Sequence, residues 1–120
     1  MNQSFPKDQG YVMPPEWHSH SGTELHWPEN RETWPGDRLE KVEKVYAEII
    51  RVLSRYETIH LFVSSELSKK RVLHLLQREK IVTRNIVWQV KKINDVWARD
   101  CGPIFIAKKD TNDSWQYAIT

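Results

Sequence analysis

The chain has 120 residues, which fits one domain or part of one, and 39% of them are hydrophobic, which argues against intrinsic disorder. Because 18 lysines and arginines nearly balance 16 aspartates and glutamates, we expect no general attraction to nucleic acid or to a membrane. The single cysteine, Cys101, excludes an internal disulfide, and the sequence contains no apolar leader and no run of about 18 apolar residues, which favours a cytoplasmic protein.

The first 36 residues are rich in residues that interrupt regular structure. They hold five of the six prolines and three of the four glycines, so we predict an irregular arm at 1–36 and an α/β module at 37–120. Within the arm, residues 23–27 have the composition of a short strand, and Pro28 would end it.

Helical periodicity begins at Asp37, where apolar residues recur every three or four positions up to Leu53. Asp37 is the predicted N-cap, and Glu40 would complete a capping box. A β-branched run at 58–63 predicts a strand, after which Ser65 is the predicted cap of a second amphipathic helix reaching Leu76.

Three further strands are predicted at 85–90, 104–107 and 115–119. Strands that alternate with amphipathic helices indicate a mixed α/β architecture, with a mixed sheet covered by those helices. The last strand runs to the final residue without a cap or polar tail, so we expect the chain to be part of a longer one.

Two carboxylates, an arginine and a tryptophan lie within six residues, at 95–100. In an extended loop, Asp95, Trp97 and Arg99 would share one side, with Asp100 directed elsewhere. Carboxylates and an indole face suit a guanidinium or amine ligand, through charged hydrogen bonds and a cation–π contact. The alternative is a purely structural role, in which Arg99 pairs with Asp95 or Asp100.

Several segments together carry a family resemblance: GYVMPPEW at 10–17, HWP at 26–28, ETWPG at 32–36 and, above all, NDVWARDCGPIF at 94–105. In this order and spacing, the segments resemble the amino-terminal part of the agmatine deiminase family, which belongs with the bacterial-type peptidylarginine deiminases. The resemblance implies a partial pentein fold, also called an α/β propeller. It also implies hydrolysis of agmatine to N-carbamoylputrescine and ammonia, in the biosynthesis of putrescine and other polyamines.

The resemblance assigns substrate-binding roles to residues of the last segment. Asp100 would bind the guanidinium, Trp97 would lie close to the substrate, and Asp95 is a weaker candidate for the pocket. The nucleophilic cysteine and the His-x-Asp element of the family lie beyond residue 120, so this chain would hold no catalytic residue and would be inactive alone. No cofactor or metal is implied, and the complete protein could be a homo-oligomer.

Alternative functions are a peptidylarginine deiminase or a non-catalytic guanidine-binding fragment. Cys101 is not the expected nucleophile, because the family commonly has Thr, Ser or Tyr there and the adjacent Asp100 disfavours a thiolate. His18, His20 and His26 could bind a metal, but they lack a clear further ligand. The basic runs at 69–71 and 91–92 are predicted to be solvated, without a role in nucleic-acid binding.

Overall fold

The computed structural model describes residues 4–120, which form two compact units. One unit is residues 20–100, and the other combines the residues up to Ser19 with residues 101–120. In chain order the elements are a 3₁₀ turn Pro6–Gln9, β1 Gly22–His26, α1 Arg38–Leu53, β2 Thr58–Val63, α2 Glu66–Arg78, β3 Ile86–Val90, α3 Ala98–Cys101, β4 Phe105–Lys109 and β5 Trp115–Ile119. The predicted strands and both predicted helices are confirmed, with small shifts at their ends.

The larger unit, residues 20–100, contains a three-stranded parallel sheet in the order β1-β2-β3. Each connection between these strands includes a helix, α1 or α2, and a crossover of this kind lets consecutive strands run parallel. At the carboxyl ends of the first two strands His26 lies opposite Phe62, and Gln89 of β3 lies beside Phe62 on the other side.

The core of this unit lies between the sheet and the two helices. Alternate residues of β2 have no exposed surface, whereas His60 between them is exposed, so the helices cover one face of the strand. The core residues are Trp27, Ala47, Ile50, Ile59, Leu61, Val63, Val72, Leu76, Ile81 and Ile86.

A buried carboxylate joins the two helices to the end of β1. Glu43 of α1 is only 5% exposed, and its Oε1 accepts hydrogen bonds from Trp27 Nε1 at 3.1 Å and Arg71 Nη2 at 2.5 Å. Buried charges of this kind are stable when paired and hydrogen-bonded. The basic run at 69–71 is therefore not simply solvated as predicted, because Arg71 neutralises Glu43.

The two predicted helix caps differ in outcome. Ser65 caps α2, because its side-chain oxygen accepts from the Ser68 amide at 3.1 Å. Asp37 occupies the N-cap position of α1 without capping it, and its carboxylate pairs instead with Lys41 at 2.6 Å. Glu40 forms no capping box and accepts from Arg31 Nη2 at 2.9 Å. This bond and one from the Glu40 amide lower the pKa of Glu40, with the amide the larger cause.

In the smaller unit, β4 and β5 form an antiparallel hairpin. Asp110 closes its turn, since Oδ1 accepts from the amides of Asn112 at 2.8 Å and Ser114 at 2.9 Å. Val12 pairs with Ala107 on the other side of β4. We predicted one mixed sheet, but in residues 4–120 parallel and antiparallel strands occupy two separate sheets, because a short turn joins β4 to β5 whereas helices join β1, β2 and β3.

None of the helices within residues 4–120 is both long enough and apolar enough to cross a bilayer.

Candidate functional site

The candidate site lies where the three parallel strands of residues 20–100 end. Because β1, β2 and β3 run in the same direction, the loops that follow His26, Val63 and Val90 leave the sheet at one edge. In open α/β sheets, ligands bind outside the carboxyl ends of the strands, where loop residues can converge. The predicted site residues Asp95, Trp97 and Asp100 all follow β3.

Asp95 is half-buried, and both of its carboxylate oxygens accept hydrogen bonds. Oδ2 accepts from Thr33 Oγ1 at 3.1 Å, and Oδ1 accepts from the Val96 amide at 2.8 Å. These donors hold the carboxylate. Asp95 thus connects the loop after β3 to the loop after β1.

Trp97 and Asp100 lie in a single tight turn. Trp97 is 58% exposed, and its carbonyl oxygen accepts from the Asp100 amide at 3.0 Å. We predicted an extended loop with Asp95, Trp97 and Arg99 on one side, and this is wrong, because the short helix α3 begins at Ala98. Helical backbone breaks the period-two alternation on which that prediction depended.

Asp100 is exposed. An exposed carboxylate and an exposed indole in one turn can bind a planar cation if both side chains reach it, with the carboxylate accepting its N–H groups and the indole face contacting its charge. The negative charge at Asp95 also acts on its surroundings. The pKa of the half-buried Tyr46 is raised, first by burial and then by this charge.

Motif segments that are far apart in the sequence converge on Asn94 and Asp95. His26 Nδ1 lies 3.4 Å from the Asp95 carbonyl oxygen across 69 residues, and Thr33 reaches the Asp95 carboxylate across 62. Asn30 Nδ2 donates to the Asn94 carbonyl oxygen at 3.2 Å, across 64 residues. The segments at 26–28 and 32–36 therefore hold the segment that carries Trp97 and Asp100.

A second connection fixes the loop after β1 to the start of α2. The Glu29 carboxylate accepts hydrogen bonds from the hydroxyl groups of Ser64 and Ser68. The backbone amide of Ser64 also donates to Glu29, at 3.4 Å. The loop after β1 is thus attached to the loops after β2 and β3 at this edge of the sheet.

The other candidates named from the sequence are Cys101, His18 and His20. Cys101 is exposed. His18 packs edge-on against Trp115, with ring centroids 5.3 Å apart, whereas His20 Nε2 lies 2.9 Å from a Glu57 carboxylate oxygen. Across residues 4–120, no three His, Cys, Asp or Glu side chains are grouped in a way that could hold a metal ion.

Comparison with known proteins identifies the chain's relatives. A family model described as Porphyromonas-type peptidyl-arginine deiminase matches residues 12–119. The chain belongs to this family. The agmatine deiminase from Stutzerimonas stutzeri is 29% identical to the chain over 103 residues. The agmatine deiminase from Medicago truncatula is 28% identical over 112 residues. These alignments cover 86% and 93% of the chain.

Solved structures share the fold of this family member. The C. jejuni agmatine deiminase has a TM-score of 0.66 at 24% identity, over 98% of the chain and 33% of the solved one. A second structure of that protein, with substrate bound, has a TM-score of 0.61 at 23% identity, over 88% of the chain and 29% of the solved one. The chain spans 26% and 28% of the lengths of the S. stutzeri and M. truncatula relatives.

Some residues that shape the site were not predicted to do so. Thr33 and His26 were part of the motif segments, but no role in holding Asp95 was predicted for either of them. Asn30 and Glu29 were not considered at all. The contacts with Asn94 and Asp95 span more than sixty residues, so no local pattern could indicate them. The sequence offered only one indirect sign, which is that the motif segments occur in the same order as in the family.

Proposed function

We propose that this chain supplies the guanidinium-binding part of an agmatine deiminase, which hydrolyses agmatine to N-carbamoylputrescine and ammonia. The observation that carries the proposal is the exposed Asp100, three residues after the exposed Trp97, in a turn fixed through Asp95. Membership of a deiminase family and relatives named agmatine deiminase support the reaction class.

In this proposal Asp100 accepts N–H groups of the guanidinium and offsets its charge, and Trp97 packs against the ligand. Asp95 contributes mainly by holding the turn, because its carboxylate oxygens already accept from Thr33 and Val96. The nucleophilic cysteine and the His-x-Asp element come from residues beyond 120, so the 120-residue chain binds the substrate without turnover. No metal or cofactor takes part.

We further propose that residues 1–120, comprising an arm at 1–36 and a module at 37–120, are the amino-terminal part of one catalytic domain with the pentein fold. The structural likeness to agmatine deiminases over nearly the whole chain supports this assignment. The parent protein would act in the cytoplasm, in putrescine and polyamine biosynthesis, and could assemble as a homo-oligomer.

A peptidylarginine deiminase is the second candidate, because the matching family model carries that description. The substrates differ in the groups around the alkyl chain, where agmatine has none of the peptide amides of an arginine residue. The names of the relatives favour agmatine. A non-catalytic guanidine-binding protein is the third candidate. Unlike the first two, it would not hydrolyse the bound guanidinium compound, even as part of a longer protein.

An NMR titration of the 120-residue chain tests the binding site. Agmatine should shift the Trp97 indole N–H resonance, whereas putrescine, which lacks the guanidinium, should shift it much less. Asp100→Asn should weaken agmatine binding about tenfold or more, since it removes a charged hydrogen-bond acceptor. Asp37→Asn is the matched control, because Asp37 is exposed and is the N-cap residue of α1. Equal binding by all three proteins would contradict the proposal.

Substrate choice and turnover need separate measurements. A blocked arginine amide in the same titration distinguishes the first two candidates, because tighter binding than agmatine would favour the peptidylarginine deiminase. If the reading frame continues beyond Thr120, ammonia release from agmatine by the longer product tests the reaction. Binding without ammonia release in that product would favour the non-catalytic candidate.

A further inference from the structure

One side of α1 is apolar although it is exposed to solvent. Four residues on this side have between 36% and 82% of their surface exposed: Val45, Ile49, Val52 and Tyr56. Tyr56 lies just beyond the helix, and its amide donates to the Leu53 carbonyl oxygen at 2.9 Å, which continues the winding of the chain. At 3.6 residues per turn, the four positions lie within about 60° of one another around the helix axis. We call this row of four residues the α1 stripe.

The spacing of the α1 stripe is the same in both directions along the helix. Its residues are separated by four, three and four positions, which is the spacing of a heptad seam. Single exposed apolar residues are ordinary, whereas a row at this spacing is typical of a helix that packs against another helix. A twofold axis that reverses the helix direction therefore superposes the stripe on itself. Val45 then meets Tyr56 of a second copy, and Ile49 meets Val52 of that copy.

Charged residues beside the α1 stripe favour this antiparallel arrangement. Glu48 and Arg55 are exposed, lie seven residues apart and flank the stripe on the same side. In an antiparallel pair of helices, Glu48 of each copy lies across from Arg55 of the other, so two pairs of opposite charge form. A parallel pair would instead place Glu48 beside Leu53, where it has no charge to meet. The stripe and its flanking charges are thus complementary to a second copy of the same helix.

We propose that the α1 stripe binds the α1 stripe of a second copy, with the two helices antiparallel across a twofold axis. This surface lies on the helix, and its role does not depend on the proposed guanidinium site. Four apolar side chains per copy are few beside the roughly 20–30 residues that each partner contributes to a standard interface. The association is therefore weak, with a Kd on the order of 0.1 mM.

Sedimentation equilibrium of the 120-residue chain between about 10 µM and about 1 mM tests the association, and it should show a monomer–dimer equilibrium. Val52→Glu should raise the Kd about tenfold or more, because each dimer would place two carboxylates in the apolar seam. Val82→Glu is the matched control, since Val82 is 51% exposed, against 55% for Val52, and lies outside α1. A urea midpoint for Val52→Glu close to that of Val82→Glu shows that the variant is folded.

Two results of this experiment would overturn the proposal. One is a chain that stays monomeric at about 1 mM, which would leave the stripe to another segment of a longer protein or to a different partner. The other is Val52→Glu associating as strongly as Val82→Glu. Ile119→Glu identifies the alternative surface in that case, because Ile119 is exposed on β5 of the smaller unit. The proposal predicts that Ile119→Glu dimerises like the wild type.

Charge reversal tests the antiparallel direction. Glu48→Arg and Arg55→Glu should each raise the Kd about three- to tenfold, because each homodimer would then bring like charges together twice. An equimolar mixture of the two variants should associate about as strongly as the wild type, since every charge in the mixed dimer faces an opposite one. Single variants that dimerise normally, or a mixture no stronger than either variant alone, would overturn the antiparallel pairing.

Discussion

The hydrogen bond between Thr33 and Asp95 is the contact that most directly connects two motif segments. Thr33 Oγ1 donates to Asp95 Oδ2 at 3.1 Å, and both residues are half-buried. Thr33→Val keeps the branched shape and removes the donor. A hydrogen bond to a charged group contributes about 1.5–3 kcal/mol. Because Thr33 and Asp95 are only half-buried, we expect the free energy of unfolding to fall by an amount at the lower end of this range, about 1.5 kcal/mol.

Urea unfolding followed by circular dichroism measures this loss, because the helical signal comes mainly from α1 and α2 of the same unit. With a slope of about 2 kcal/mol per molar urea, the midpoint should fall by about 0.7 M. Thr33→Ser keeps the hydroxyl and should retain most of the stability. Thr111→Val, at an exposed position, is the surface control. A Thr33→Val midpoint equal to that of Thr111→Val would refute the reasoning.

Two further predictions concern a helix end and a half-buried tyrosine. Ser65→Ala should destabilise α2 by about 1 kcal/mol in urea unfolding, because the Ser68 amide loses its acceptor, whereas Asp37→Ala should cost much less because Asp37 does not cap α1. An equal loss would contradict the capping assignment. The raised pKa of Tyr46 means that its contribution to stability is complete below about pH 10, the ordinary tyrosine value, and is lost as pH rises through the folded pKa. Tyr46→Phe should remove this part of the alkaline decline in the urea midpoint, and an unchanged decline would show that Tyr46 does not cause it.

Local sequence patterns were sufficient for the two long helices and the five strands. The apolar spacing up to Leu53 and the β-branched run at 58–63 both predicted the elements that form, since side-chain periodicity follows directly from backbone geometry. The short helix α3 was not predicted, because four residues are too few to show periodicity. The failure of Asp37 as a cap also needed the structure, because Lys41 competes for its carboxylate.

The candidate site was only partly predictable. Trp97 and Asp100 could be proposed from a short segment, because their chemistry and their closeness are both visible in the sequence. The contacts by which His26 and Thr33 hold Asp95 could not be predicted. Nothing in the local sequence indicates which residues more than sixty positions away will contact Asp95.

The sequence by itself determined the order of helices and strands, the charge balance and the family resemblance, because these depend on residue types and on short-range spacing. Only the tertiary structure decided that three motif segments meet beside Asp95, and that Arg71 neutralises the buried Glu43. It also brought a carbonyl and a carboxylate to the two ring nitrogens of His26. The physical reason is that parallel strands carry distant loops to one edge of a sheet, where contacts depend on the packing of the whole unit.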